Sequence, residues 1–373
     1  MRTRLCDDFG IDLPIFAFSH CRDVVAAVSK AGGLGVLGAL AFSPEQLEIE
    51  LNWIDEHVDG KPYGVDVVMP AKVAQVEGSA NPIDPAAFAS MIPQTHRDWL
   101  DKVLGEYGVP PLSEEERSGD GALLGWVHEK GRLQVDIALS HPISLLVNAL
   151  GPPPKDIVDL AHEHDVKVAA LTGKKQHAER QVQQGVDIIV AQGSEAGGHT
   201  GEVASIVLWP EVVEAVSPTP VLAAGGIGSG AQIAAALAMG CEGVWTGSLW
   251  MTTAESDVSP AVLSKLLEAG SSDTRRSRSW TGKPARMLKT DWTEIWERDD
   301  SPGYLPMPLQ YMLINEAQRR IAKYQVKALT TMPVGQIVGR MNEVRPVKDV
   351  MFQLVEEFIE ASERLQGLVA ASS

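Results

Sequence analysis

Eight short apolar runs, separated by segments of helical spacing, constrain this chain more than any other feature. They cover residues 14–18, 34–37, 63–68, 143–148, 166–171, 187–191, 220–224 and 243–246. Several are near-continuous Val, Ile, Leu and Ala without polar alternation, as in Ile188-Ile189-Val190. A strand with one face in water alternates. An unbroken run is covered on both faces, as in a parallel sheet flanked by helices. The helical signals lie where such a sheet needs them. Residues 23–30 stop at Ala31-Gly32-Gly33, a glycine C-terminal signal. Ser43-Pro44-Glu45 supplies an N-cap with proline at the first helical position. Residues 154–163, 175–184 and the alanine-rich 230–239 complete the pattern. Strand then helix, repeated eight times, predicts an α/β protein built as a (β/α)8 TIM barrel.

Two regions break the repeat. Residues 70–133 follow the third strand and carry Pro82, Pro85, Pro93, Pro110-Pro111 and the acidic run Glu114-Glu115-Glu116. This is too long for a plain strand-to-helix loop and reads as an insertion on the barrel's top or side. Residues 250–335 follow the eighth strand and are rich in Trp280, Trp292, Trp296, Pro302, Pro306 and Pro308. They read as a smaller, mainly helical domain. Residues 347–365 alternate apolar and acidic positions at helical spacing, so a final helix is expected to pack back on the barrel. The expected domains are therefore 1–249 with 336–373, and 250–335.

Composition excludes several classes of function. The net charge is -17, which argues against a nucleic-acid or anionic-membrane partner. The tight basic cluster Arg275, Arg276 and Arg278 reads as a solvated loop. Cys6, Cys21 and Cys241 are widely spaced with no CxxC pair, which fits a reducing compartment and neither a disulfide framework nor a metal site. No basic-then-apolar leader and no run of 18 apolar residues is present, so a cytoplasmic protein with no membrane role is expected.

Barrel chemistry sits at the C-terminal ends of strands. After the sixth such end comes Gln192-Gly193-Ser194-Glu195-Ala196-Gly197-Gly198-His199-Thr200-Gly201. Glycines let a backbone approach a ligand closely, and His199 is a proton-transfer or anion-holding candidate. The next strand runs into Ala224-Gly225-Gly226-Ile227-Gly228-Ser229-Gly230, and the eighth ends at Thr246-Gly247-Ser248. Paired glycine turns after strands seven and eight, with a helix N-terminus behind them, read as a phosphate cradle, the alternative being plain tight turns between strand and helix. The spacing Gly226-x-Gly228-x-Gly230 is not the dinucleotide fingerprint, and Glu242 is a poor ribose anchor.

Together these motifs resemble the nitronate monooxygenase family, formerly called 2-nitropropane dioxygenases. The matching pieces are Pro14-Ile15, Ala31-Gly32-Gly33-Leu34-Gly35, the His199 loop, Ala223-Ala224-Gly225-Gly226-Ile227 and Gly247-Ser248. The likeness continues weakly through Gly282-Lys283-Pro284-Ala285-Arg286 and Gly335-Gln336. The resemblance implies an FMN-dependent barrel that oxidises alkyl nitronates with O2 to a carbonyl compound and nitrite. It implies His199 as catalytic base or substrate-anion partner, and Gly225, Gly226, Gly247 and Ser248 on the FMN phosphate. Gln192 and Gly193 would line the flavin ring, and Ala17, Phe18, Ser19, Asp66, Gly198 and Ala224 also fall at cofactor-binding positions. Thr172 would either reach the cofactor or cap the following helix. The family commonly has Ala-Pro-Met where this chain has Phe18-Ser19-His20, and asparagine where it has Asp66. The first change places His20, and with it Cys21, near the cofactor. Similar flavin barrels include NAD(P)H-dependent quinone and enoyl reductases, so that activity is the alternative. A non-catalytic phosphate-ligand barrel is the alternative of another class. The expected partners are a small-molecule substrate with O2 or NAD(P)H, and a homo-oligomer is compatible with the tryptophan-rich region.

His162 and His164 lie two apart on a helical segment and do not share a face, so they make a poor metal pair. His141, ahead of a strand, is expected to be structural at the barrel's N-terminal end.

Overall fold

Strands β1 (Ile15–Ser19), β2 (Leu34–Gly38), β3 (Tyr63–Val67), β4 (Leu145–Asn148), β5 (Lys167–Thr172) and β6 (Ile188–Gln192) lie side by side in the computed structural model. β7 (Gly198–His199) leaves the ring. β8 (Val221–Ala224) and β9 (Gly243–Thr246) complete it, and β9 pairs with β1 to close the barrel. Every neighbouring pair in the ring is parallel. The structure describes residues 1–69, 85–113, 116 and 128–371. All eight expected strands are present, each within a residue or two of its predicted limits.

Alternation along each strand separates two cores. Phe16, Val36, Val147, Val190, Leu222 and Trp245 fill the barrel. Val65, Val67, Ile189 and Val221 face outward and pack under the helices. This double covering is what the unbroken apolar runs encode. The N-terminal end is closed by a helix absent from the sequence expectation, Arg4–Phe9, whose Leu5, Cys6 and Phe9 join the inner core. Phe9 meets Phe16 edge-on at 5.5 Å. At the same end His141 Nδ1 lies 2.6 Å from Asp55, whose other oxygen accepts from the Tyr63 hydroxyl. His141 is structural, as expected.

A second core stands beside the barrel. Trp99, Val103 and Leu104 of the helix Gln94–Glu106 pack with Trp292 and Trp296, and with Leu313 and Ile314 of the helix Leu309–Lys323. Residues 85–113 of the insertion and residues 291–329 therefore share one apolar interior. Arg320 fastens it. The side chain is 5% exposed and donates to the carbonyls of Val109 and Pro110 and to Asp101. Of the features expected within 70–133, Pro82, Glu114 and Glu115 lie outside the described residues.

The segment after the eighth strand also contains strands. β10 (Thr274–Ser277) and β11 (Ala285–Leu288) form an antiparallel sheet with β7 at its edge. The basic cluster is accordingly not a solvated loop. Arg275 and Arg276 lie on β10, Arg275 paired with Glu294 at 3.0 Å and Arg276 donating to the Thr200 carbonyl at 3.4 Å. The last helix, Val347–Ala370, returns to the barrel, where Glu357 accepts from the backbone N–H of Gly230 at 2.7 Å. The three cysteines are unpaired and buried. Among the described residues no group of side chains is placed to hold a metal, and no helix is long and apolar enough to cross a membrane.

Candidate active site

The C-terminal rim of the barrel gathers most of the residues singled out in the sequence. On β1, Phe18 points inward and is half-buried, with its ring 6.2 Å from Trp245. Ala17 is buried in the outer core, so only its backbone faces the rim. Ser19 turns the chain outward by accepting from the Cys21 N–H at 3.1 Å. On β3, Asp66 alternates with outward-facing Val65 and Val67 and so points inward. It is 4% exposed and its Oδ1 has no hydrogen-bond partner. Burial pushes its carboxyl well above the ordinary carboxylate range, because a charge there would be cut off from water.

The His199 loop is locked from three directions. Gly193 N–H donates to the Ala224 carbonyl at 3.0 Å, tying β6 to β8. The Glu195 carboxylate accepts from both the backbone and the hydroxyl of Ser205, holding the start of the helix Ser205–Val216. The Arg286 guanidinium donates to the Ser194 carbonyl at 2.9 Å and to Thr274 at 3.0 Å. Gln192 donates weakly across the loop to the Gly197 carbonyl at 3.5 Å. Gly198 and His199 then run antiparallel to β11, opposite Arg286 and Ala285. His199 thus stands on a strand edge and not on a free loop. Its Nε2 lies 2.7 Å from the Thr281 hydroxyl. Burial, with the Lys283 charge nearby, lowers its pKa to about 4. The ring is therefore neutral at physiological pH, and the imidazolium form is disfavoured.

The two glycine turns lie between β6 and β1 on the rim. Gly225 and Gly226 have φ values of 93° and 75°, where side chains are strained. A Cβ on Gly225 would also come within 2.9 Å of the Ser205 hydroxyl. Ser248 Oγ accepts from the Gly335 N–H at 2.8 Å, which leaves its own proton to donate. The expected helix N-terminus behind the turn is less open than predicted. Gln232 accepts from the Gly228 N–H, Glu357 from Gly230, and the Ser229 hydroxyl from Gln232 N–H. With the helix start already capped, the groups here that could donate to an anion are the turn backbones and Ser248.

Thr172 is not the N-cap of the following helix. Its hydroxyl bonds both backbone groups of Lys174, closing a local turn, while Lys174 itself is the N-cap residue. His162 pairs with Asp187 at 2.8 Å, away from His164. Thr281, Arg286 and the Gly335-Gln336 segment were not assigned roles from sequence. The weak likeness of residues 282–286 and 335–336 touches Arg286 and Gly335-Gln336, and Thr281 carries no sequence signal. The fold brings them to His199, with Gln336 N–H donating to the Glu195 carbonyl at 2.9 Å.

Comparison with known proteins agrees with this geometry. The nitronate monooxygenase family profile matches residues 9–357. A Mycobacterium tuberculosis protein whose name assigns it provisionally to the monooxygenases is 54% identical over 99% of this chain and 100% of its own length. Nitroalkane oxidase from Streptomyces ansochromogenes superposes with a TM-score of 0.80 at 25% identity, covering 97% of this chain and 99% of its own. FabK from Thermotoga maritima gives a TM-score of 0.75 at 26% identity, covering 99% of both chains.

Proposed function

The chain belongs to the nitronate monooxygenase family, a family of flavin-dependent oxidoreductases, and from that premise we propose that it oxidises alkyl nitronates with O2 to a carbonyl compound and nitrite. The observation that carries this reading is the neutral His199, held on a strand edge at the same rim as the positive-φ glycines Gly225 and Gly226.

We assign FMN as the flavin. The backbone N–H groups of Gly225, Gly226 and Gly247 and the Ser248 hydroxyl would hold its phosphate. Gln192 and Gly193 would line the ring. The orphaned Oδ1 of Asp66 supports a polar partner at the mouth, since a buried carboxyl without one is costly. When bound, the flavin supplies the redox chemistry, accepting electrons from the substrate and passing them to oxygen. The protein's part is placement. His199 meets the substrate's nitro group as a neutral imidazole, and Thr281 fixes the ring's orientation. Residues 250–335, with 85–113 packed on them, cover the substrate and exclude water from the mouth.

The test is the visible spectrum of the purified protein in anaerobic titrations with a nitronate and, separately, with NADH or NADPH. Flavin bleaching by the nitronate is the expected result. Bleaching by a nicotinamide alone would replace the reading with quinone or enoyl reduction. No flavin absorbance after reconstitution with FMN would overturn the cofactor.

A further inference from the structure

A second histidine stands at the barrel mouth, directly after β1, three strands round the rim from the His199 loop. His20 Nδ1 lies 2.8 Å from the Gly38 carbonyl. A carbonyl only accepts, so Nδ1 carries the proton and the neutral ring keeps its lone pair on Nε2. Nε2 has no protein partner among the described residues. The ring's position follows from Gly38. Leu34 and Val36 face the barrel interior, so a Cβ on Gly38 would also point inward. That Cβ would come within 2.6 Å of His20 Nδ1 and 2.8 Å of the Phe18 ring. The imidazole therefore lies over the inner side of β2, in space left by a missing side chain, and edge-on to Phe18 at 5.1 Å. It keeps an exposed face at the mouth even though protein encloses it closely.

We propose that His20 Nε2 takes the α-proton of a neutral nitroalkane, leaving His199 to hydrogen-bond the nitro group, so that this enzyme accepts the neutral C–H acid as well as its anion. The step breaks the Cα–H bond, places its electron pair in the C=N bond of the nitronate and puts the proton on Nε2. No electron leaves the substrate, so no oxidant is consumed. The electrostatics of the two histidines divide the labour in the same way. The Asp257 carboxylate faces His20 and favours its protonated form, opposing the burial that lowers its pKa. Lys283 faces His199 and adds to its burial. Of these two neighbouring charges, the one at His20 favours a bound proton and the one at His199 opposes it.

This inference rests on the function above only for the fate of the nitronate, and its test separates the two. Loss of deuterium from α-deuterated nitroethane is followed anaerobically in the holoenzyme, where no oxidation is needed. Wild-type exchange should fall about 10²-fold or more in His20→Gln, the usual range for a general base. The ratio of nitroethane to nitronate turnover should fall by a similar factor, with flavin content retained. Nitrogen-15 NMR of labelled histidine should show Nε2 unprotonated in His20 at pH 7. Equal exchange in wild type and variant, no exchange in wild type, or a protonated Nε2 would each overturn the role. Exchange that depends on His20 without nitronate oxidation would instead overturn the function and leave the base in place.

Discussion

Asp66→Asn should make the protein more stable at neutral pH, by an amount that grows with pH. The side chain is buried inside the barrel with one oxygen unpartnered, and burial raises its pKa in the folded chain above the unfolded value of about 3.9. Below about pH 4 both states hold the proton and its contribution is fully present. Above that, the unfolded chain releases the proton while the folded chain keeps it. Stability then falls by about 1.4 kcal/mol per pH unit until the folded pKa is passed, after which the loss is constant. The amide has nearly the same shape and does not ionise, so it escapes the loss. At roughly 2.1 cal/mol/K per residue, the 373 residues carry an unfolding entropy of about 0.8 kcal/mol/K. Each pH unit should therefore separate the two unfolding midpoints by about 2 °C. The assay is thermal unfolding of flavin-free parent and variant between about pH 4 and pH 8. Parallel curves would mean that the folded carboxyl ionises with the unfolded one, and the raised pKa of Asp66 would be withdrawn.

The remaining expectations concern the site and its cover. His199→Asn should lower nitronate turnover by about 10²-fold, the cost of removing one preorganised partner of a developing charge, in steady-state assays. Unchanged kcat would take His199 out of the site. Gly226→Val should yield colourless protein, because the branched residue resists a φ of 75°; unchanged flavin content on purification would show that the cradle lies elsewhere. Arg320→Ala should destabilise the second core by about 2 kcal/mol, since it leaves the buried Val109 carbonyl and the Pro110 carbonyl without their donor while Asp101 remains in water. Hydrogen exchange should rise across residues 94–113, and protection identical to the parent would contradict that.

The barrel was legible because its strands are buried on both faces. Ile188-Ile189-Val190 needs no neighbour to announce itself. The helix Ser205–Val216 was not legible, for a physical reason. Its N-cap residue Ala204 has no capping side chain, and the carboxylate that holds its first turn belongs to Glu195, ten residues earlier. Pro210 inside it reads as a break. The plug Arg4–Phe9 is too short to show periodicity. In the site, glycine spacing pointed to Gly225 and Gly226 because positive φ is a local demand. Thr281 reaches His199 across 82 residues of sequence, and such a pairing is made by tertiary folding alone. The segment containing Arg276 looked solvated because charge is local information, whereas its place in a three-stranded sheet is not.

The shared interior of residues 85–113 and 291–329 limits how this enzyme can be altered. One half leaves the barrel after β3 and the other after β9, so the cover is stitched from two distant loops. Neither half can be exchanged with a relative's without exposing Trp99 or Trp292 and Trp296 on the other. A graft meant to change substrate range must carry both segments together. A mutation that reshapes one half has to be accommodated by the other, so the packing of this element is a two-locus property.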